Sequence, residues 1–93
     1  MIRSYKDRKT ASVAEGKPFK GFPANLVRIA QRKLVMIEHA VELSDLASPP
    51  GNKLHALKGD RKGQYAIRVN DQFRLCFKWV DGHAVDVELT DYH

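Results

Sequence analysis

The chain has a single cysteine, Cys76, so neither an internal disulfide framework nor a multi-cysteine zinc site can form within it. A reducing compartment suits such a sequence. No segment approaches the roughly 18 consecutive apolar residues of a membrane-spanning helix. The start, Met1-Ile2-Arg3-Ser4-Tyr5-Lys6, lacks an apolar run of signal-peptide length. The expectation is a cytoplasmic protein with no membrane role. The four histidines, His39, His55, His83 and His93, show no HExxH or other close ligand spacing, which predicts neither a metal nor another cofactor. Acidic charge is also scarce: Asp+Glu number 11 against 16 Lys+Arg, a formal +5. That excess suits a polyanion, nucleic acid foremost, although a generically soluble surface has the same signature.

What is present fits one domain over residues 1–93, of which 43% are hydrophobic. A chain of this size buries only about 60–65% of its unfolded surface, so there is room for one core. No repeat, low-complexity tract or linker divides it. Ile2 to Tyr5 reads as a short edge strand, and Asp7 to Glu15 as a helix ended by Gly16. Pro23 opens the strongest helical pattern: Leu26, Ile29, Ala30, Leu34, Ile37 and Val41 recur at three- and four-residue spacing. Tandem prolines, Pro49-Pro50, cannot continue it.

Beyond Asn52 the period becomes two. Tyr65, Ile67 and Val69, then Phe73, Leu75, Phe77 and Trp79, then Val85, Val87 and Leu89 form apolar rows alternating with polar ones. Leu54 to Leu57 reads as a short strand before them. The turn at Asp81-Gly82 is resolved by parity. A two-residue hairpin would set the Phe77 row on one face with Asp86 and Glu88, wasting both apolar rows. A three-residue loop, Val80-Asp81-Gly82, instead aligns Phe77 with Val85, Leu75 with Val87 and Phe73 with Leu89. It also sets Arg74 across from Glu88 on the opposite, uncovered face, together with Arg68 and near the strand end that leads to Asp91-Tyr92-His93.

Two stretches concentrate chemistry. One is His55-Ala56-Leu57-Lys58-Gly59-Asp60-Arg61-Lys62-Gly63; the other is the terminal Asp91-Tyr92-His93. RNA cleavage by its own 2′-hydroxyl needs a base for that proton, an acid for the departing 5′-oxygen and cations at the phosphate. His55 and His93 suit the proton transfers, and Lys58 and Arg74 the developing charge. Arg68, Arg61 and Lys62 attract phosphates. Asp91 can fix an imidazole tautomer, and Tyr92 can stack on a base for about 1–3 kcal/mol. Each has a plainer reading: Arg74 paired with Glu88, Asp91 capping a strand, Tyr92 anchoring the tail, Arg61-Lys62 as a solvated turn. His39 and His83 read as structural or solvated, and Trp79 and Cys76 as core or edge residues.

Met1-Ile2-Arg3-Ser4-Tyr5, Leu54-His55-Ala56-Leu57-Lys58-Gly59-Asp60, Ile67-Arg68-Val69-Asn70-Asp71-Gln72-Phe73-Arg74 and Asp91-Tyr92-His93 together resemble the HigB toxins, the plasmid maintenance killer proteins of the RelE superfamily. The resemblance implies a compact α/β fold of the α+β kind, a mainly antiparallel sheet with helices packed on one face. It also implies a ribosome-dependent endoribonuclease that cuts translated mRNA, with His55, Lys58, Arg74, Asp91, Tyr92 and His93 at the family's functional positions. The implied partner is a HigA-like helix-turn-helix antitoxin, through which alone operator DNA is reached. Ala56 stands where the family often has proline, and Phe73 where it often has tryptophan; Thr10 to Gly21 carries no matching pattern. Two other classes remain open: a non-catalytic toxin of the same fold that poisons gyrase or stalls ribosome assembly, and a plain RNA-binding module.

Overall fold

The computed structural model of the chain describes residues 1–91, and its first helix begins at a side-chain cap. Asp7 is extended, and its carboxylate accepts the Thr10 N–H at 2.8 Å and the Thr10 hydroxyl at 2.7 Å. The first of these bonds satisfies a donor that a helix start leaves open, and α1 runs over Arg8–Ala14. The Thr10 hydroxyl also accepts the Leu89 N–H at 2.9 Å. One capping pair therefore ties the first helix to the last strand.

α2, Val27–His39, follows a 3-10 turn at Ala24–Leu26 that Pro23 opens. Leu26, Ala30, Leu34 and Ile37 are buried as their spacing predicts; Val27 joins them, and Ile29 packs half-buried alongside. Val41 departs from the expected stripe and is 77% exposed. The helix ends before it, and the Asp45 carboxylate accepts the N–H groups of Val41 and Glu42 at 3.0 Å each. Those bonds bind Val41 and Glu42 to the start of the next turn, Leu43–Ala47, so Val41 never reaches the helical face.

The change of period yields four antiparallel strands side by side in chain order: β1 (His55–Ala56), β2 (Tyr65–Arg68), β3 (Phe73–Val80) and β4 (His83–Asp91). Ile67, Leu75, Phe77 and Val87 are fully buried in the core shared with the helices. The Phe77 ring lies 6.4 Å from both Tyr65 and Trp79, and Phe73 meets Phe22 edge-on at 5.0 Å. The expected edge strand at Ile2 to Tyr5 is reduced to two parallel bridges on β4, Ile2 to Ala84 and Tyr5 to Val87. The architecture is the expected α+β one, an antiparallel sheet with its helices on one side.

The β3–β4 hairpin corrects the predicted register. Val80 faces His83 across a two-residue turn, Asp81-Gly82, with both φ angles positive, 51° and 79°. Such a turn matches the right-handed twist of the strands. Continued unbroken, it would place the apolar rows on opposite faces. A β-bulge prevents this by adding one residue to β4 between the Lys78–Val85 and Cys76–Glu88 pairs, with Asp86 at φ 55°. Beyond the bulge Leu75 pairs with Leu89 and Arg74 with Thr90. The expected and observed registers differ by two residues beyond the bulge, so every side chain there keeps its predicted face while each cross-strand partner changes. Between the turn and the bulge the register differs by one, and the faces are exchanged: Val85, expected beside Phe77 in the core row, pairs with Lys78 on the outer face, and the fully buried Ala84 takes the core position opposite Trp79. Ser4 holds the bulge from the far end of the sequence. Its hydroxyl oxygen accepts the Asp86 N–H at 2.9 Å, and its carbonyl accepts the Val87 N–H at 3.0 Å.

Candidate functional site

Two rows of side chains occupy the sheet face that no helix covers. His55, Ala66, Cys76 and Glu88 are successive cross-strand partners from β1 to β4; Arg68, Arg74 and Thr90 form the next row. Direct partners share a face, and diagonal neighbours two residues along stand about 7–8 Å apart. His55 on β1 is thus a diagonal neighbour of Arg68, which faces Arg74 directly. The predicted imidazole and two of the predicted cations are brought together.

The His55 side chain is exposed, and its Nδ1 lies 2.8 Å from the Lys53 carbonyl. A carbonyl oxygen can only accept, so in the neutral ring the proton sits on Nδ1 and Nε2 carries the lone pair. Lys53 takes a left-handed conformation, φ 48°, at the end of the Pro50–Asn52 turn. Fixing an imidazole tautomer is the role expected of Asp91; for His55 the main chain performs it. Sequence reading misses Lys53 because a backbone carbonyl is present at every position and only the fold aims it.

Ala66 and Cys76 are fully buried on this face although no helix lies over them. Their cover is polar. Arg61, in the turn Gly59–Arg61 between β1 and β2, donates to Gln64 Oε1 at 3.1 Å and to Glu88 Oε1 at 2.9 Å. The bridge joins the β1–β2 loop to β4 and so passes over the small side chains of the intervening strands. The Glu88 hydrogen bond raises the Arg61 guanidinium above its already high ordinary pKa, against the opposing effect of burial. Arg61, expected as a phosphate ligand, is therefore already engaged by a carboxylate. Glu88, in the plainer reading a partner for Arg74, bonds Arg61 instead and has Lys6 at 3.9 Å. Beneath the bridge, Cys76 Sγ lies 3.1 Å from the Thr90 hydroxyl.

Lys58 and Lys62 flank the Gly59–Arg61 turn and are exposed. Arg68 is paired with Asp71, which is itself 98% exposed. Arg74 is half-buried, with its Nε shielded from solvent. Asp91 stands opposite Phe73, outside the rows of His55 and Arg74, and accepts the Gln72 side-chain amide at 3.0 Å. β1 and β4 are the outer strands of four, and three spacings of about 4.8 Å separate them by roughly 14 Å. Tyr92 and His93 lie outside the described residues. Among the described residues no three His, Cys, Asp or Glu side chains gather as a metal site, and no helix is long and apolar enough to cross a membrane.

A family model described as the RelE-like toxin HigB of type II toxin–antitoxin systems matches residues 3–93. The chain belongs to the HigB-like toxin family. Toxin HigB-1 of Vibrio cholerae serotype O1 is 39% identical over 93 residues, covering 99% of this chain and 98% of its own. Endoribonuclease HigB of Proteus vulgaris is 34% identical over 93 residues, with both chains covered completely. The YoeB–YefM complex from Staphylococcus aureus contains a chain of the same fold, with a TM-score of 0.63 at 18% identity, covering 100% of this chain and 98% of that one. As a HigB-like member of a type II system, the chain has an antitoxin for its partner.

Proposed function

We infer that this HigB-like toxin, acting as one domain in the cytoplasm, is an endoribonuclease that cuts messenger RNA on the ribosome by metal-independent acid–base chemistry. A HigA-like helix-turn-helix antitoxin neutralises it and alone carries the pair to operator DNA. Support for the reaction class comes from the full-length likeness to a relative named an endoribonuclease. The observation that carries the mechanism is the His55–Lys53 bond, which in the neutral ring leaves the lone pair on Nε2 of an exposed imidazole, on the same face as the paired Arg68 and Arg74. An open sheet face also suits a macromolecular substrate better than an enclosed cavity.

In this reading His55 Nε2 takes the proton of a 2′-hydroxyl as that oxygen attacks the neighbouring phosphorus. The P–O5′ bond breaks, His93 returns a proton to the departing oxygen, and the products are a 2′,3′-cyclic phosphate and a 5′-hydroxyl. Arg74, Arg68 and Lys58 stabilise the extra negative charge on the phosphoryl oxygens, where preorganised donors are most effective. Tyr92 stacks on a base and Asp91 supports the tail. Lys62 attracts the strand, and Arg61 does so only by exchanging Glu88 for a phosphate. The test is to express the toxin with and without its antitoxin and map mRNA 5′ ends. In-frame cuts that need ribosomes and vanish in His55→Ala are the expected result; growth arrest without cuts would overturn the reading.

A further inference from the structure

β1 spans only His55–Ala56 and pairs no further than Ala66, so no β1 residue covers the edge of β2 at Arg68. Beside that edge lies the turn Pro50–Asn52, which packs on β2. Its Asn52 is fully buried; the side-chain amide donates to the carbonyls of Leu46 at 3.1 Å and Ser48 at 3.3 Å, and its oxygen accepts Lys33 from α2. Lys33 thus reaches from α2 to the turn that packs on β2.

Two further cations lie close enough to act on the Lys33 ammonium. Burial lowers the pKa of the Lys33 ammonium, and the nearby charges of Arg32 and Arg68 lower it further. Among the described residues neither Lys33 nor Arg32 has a carboxylate within ion-pair distance, and Arg68 has only the solvent-exposed Asp71. Lys33 has a neutral amide oxygen where a counter-ion would stand. Crowding like charges around a partly buried ammonium costs stability, and a phosphate set among them would remove that cost. Lysine supplies a point charge and arginine a two-pronged donor for phosphoryl oxygens.

We propose that Lys33 and Arg32 continue the Arg74–Arg68 row as a phosphate-binding track, which leads the backbone of an RNA strand from the outer sheet face around the edge of β2 onto α2. The inference rests on the RNA-cleaving reading above. Continuity with Arg68, which belongs to the candidate site, favours RNA over an acidic protein segment.

The test uses the full chain and a 2′-O-methylated RNA decamer, which binds but cannot be cut, with affinity followed against salt concentration. For a single strand, each phosphate that a variant no longer neutralises should reduce the slope of log K against log salt by about 0.7. Arg32→Gln, on an exposed side chain, and Lys33→Gln should each weaken binding and lower the slope, while Lys33→Arg should restore it. In the wild type the Lys33 ammonium pKa, followed by NMR, should rise on binding RNA, a response that a purely structural bond to Asn52 would not give. Unchanged slopes in both glutamine variants, with wild-type binding intact, overturn this inference alone. Absence of any wild-type binding overturns this inference as well, while the ribosome-dependent reading stands or falls on the mapped mRNA cuts. Loss of affinity for a poly-glutamate peptide, with RNA affinity unchanged, assigns the track to an acidic protein and likewise overturns it.

Discussion

Ile67, Leu75, Phe77 and Val87 on one face of the sheet, and Ala66 and Cys76 on the other, are equally shut off from water, but by opposite means. The first group lies in an apolar core shared with α2 and the aromatic rings of Phe22, Tyr65 and Trp79. The second lies under one ion pair, Arg61 to Glu88, thrown across small side chains. An apolar lid would have covered the whole outer face. A polar bridge over alanine and cysteine seals two positions and leaves His55 exposed and Arg68 and Arg74 half-exposed around it, open to the substrate proposed above. One face therefore supplies stability and the other supplies access.

The largest test of that division is His55→Ala, which should lower the cleavage rate by about 10² to 10⁴, the usual contribution of a general base, with the thermal midpoint unchanged because the ring is exposed. A parallel fall in melting temperature would make the outer face structural and erase the contrast. On the inner face Phe77→Ala should cost about 3–5 kcal/mol in denaturant unfolding, from the burial forgone plus the cavity left behind. Survival of normal stability would mean that the helices collapse onto the gap.

Arg61→Ala is the intermediate case. Charged hydrogen bonds contribute about 1.5–3 kcal/mol; with 28% of the Arg61 side chain exposed to solvent, screening reduces the expected loss to about 1 kcal/mol. The sharper readout is Cys76, which should begin to react with a thiol reagent once uncovered, and continued inertness would show that Arg61 is not its lid. The smallest effect is on neither face. N–H groups of Glu42 and Val41 hold the Asp45 carboxyl below its ordinary value. Its stabilisation is present above the unfolded carboxylate pKa, about 3.9, and fades as pH falls through the lower folded value. Asp45→Asn should accordingly flatten the acid limb of the stability curve below about pH 4 and leave neutral pH behaviour and cleavage alone.

Much of the fold was legible because burial follows period. The 3.6-residue stripe named Leu26, Ala30, Leu34 and Ile37, and the two-residue alternation named Ile67, Leu75, Phe77 and Val87; all are buried. Val41 fits the same helical period but falls beyond a stop that Asp45 imposes from the next turn. Of the candidate site, the proximity of Arg68 and Arg74 was legible from strand alternation. The Lys53 carbonyl, the Arg61 bridge and the Lys33 cluster were not, since each joins groups whose meeting depends on loop paths.

The sequence by itself determined which side chains face the core wherever the strand period runs unbroken, because side-chain direction repeats with the local backbone and a two-residue error of register leaves it unchanged; between the turn and the bulge it did not, and Ala84 rather than Val85 fills the core. Only the tertiary structure decided which residues meet. The bulge at Asp86 is held by Ser4, 82 positions away, which accepts its N–H, and pairing across such a separation is set by the energy of the assembled chain rather than by any local signal. The same holds for the outer face, where one arginine, reaching from a loop to the last strand, settles how much of the sheet is sealed and how much stays open.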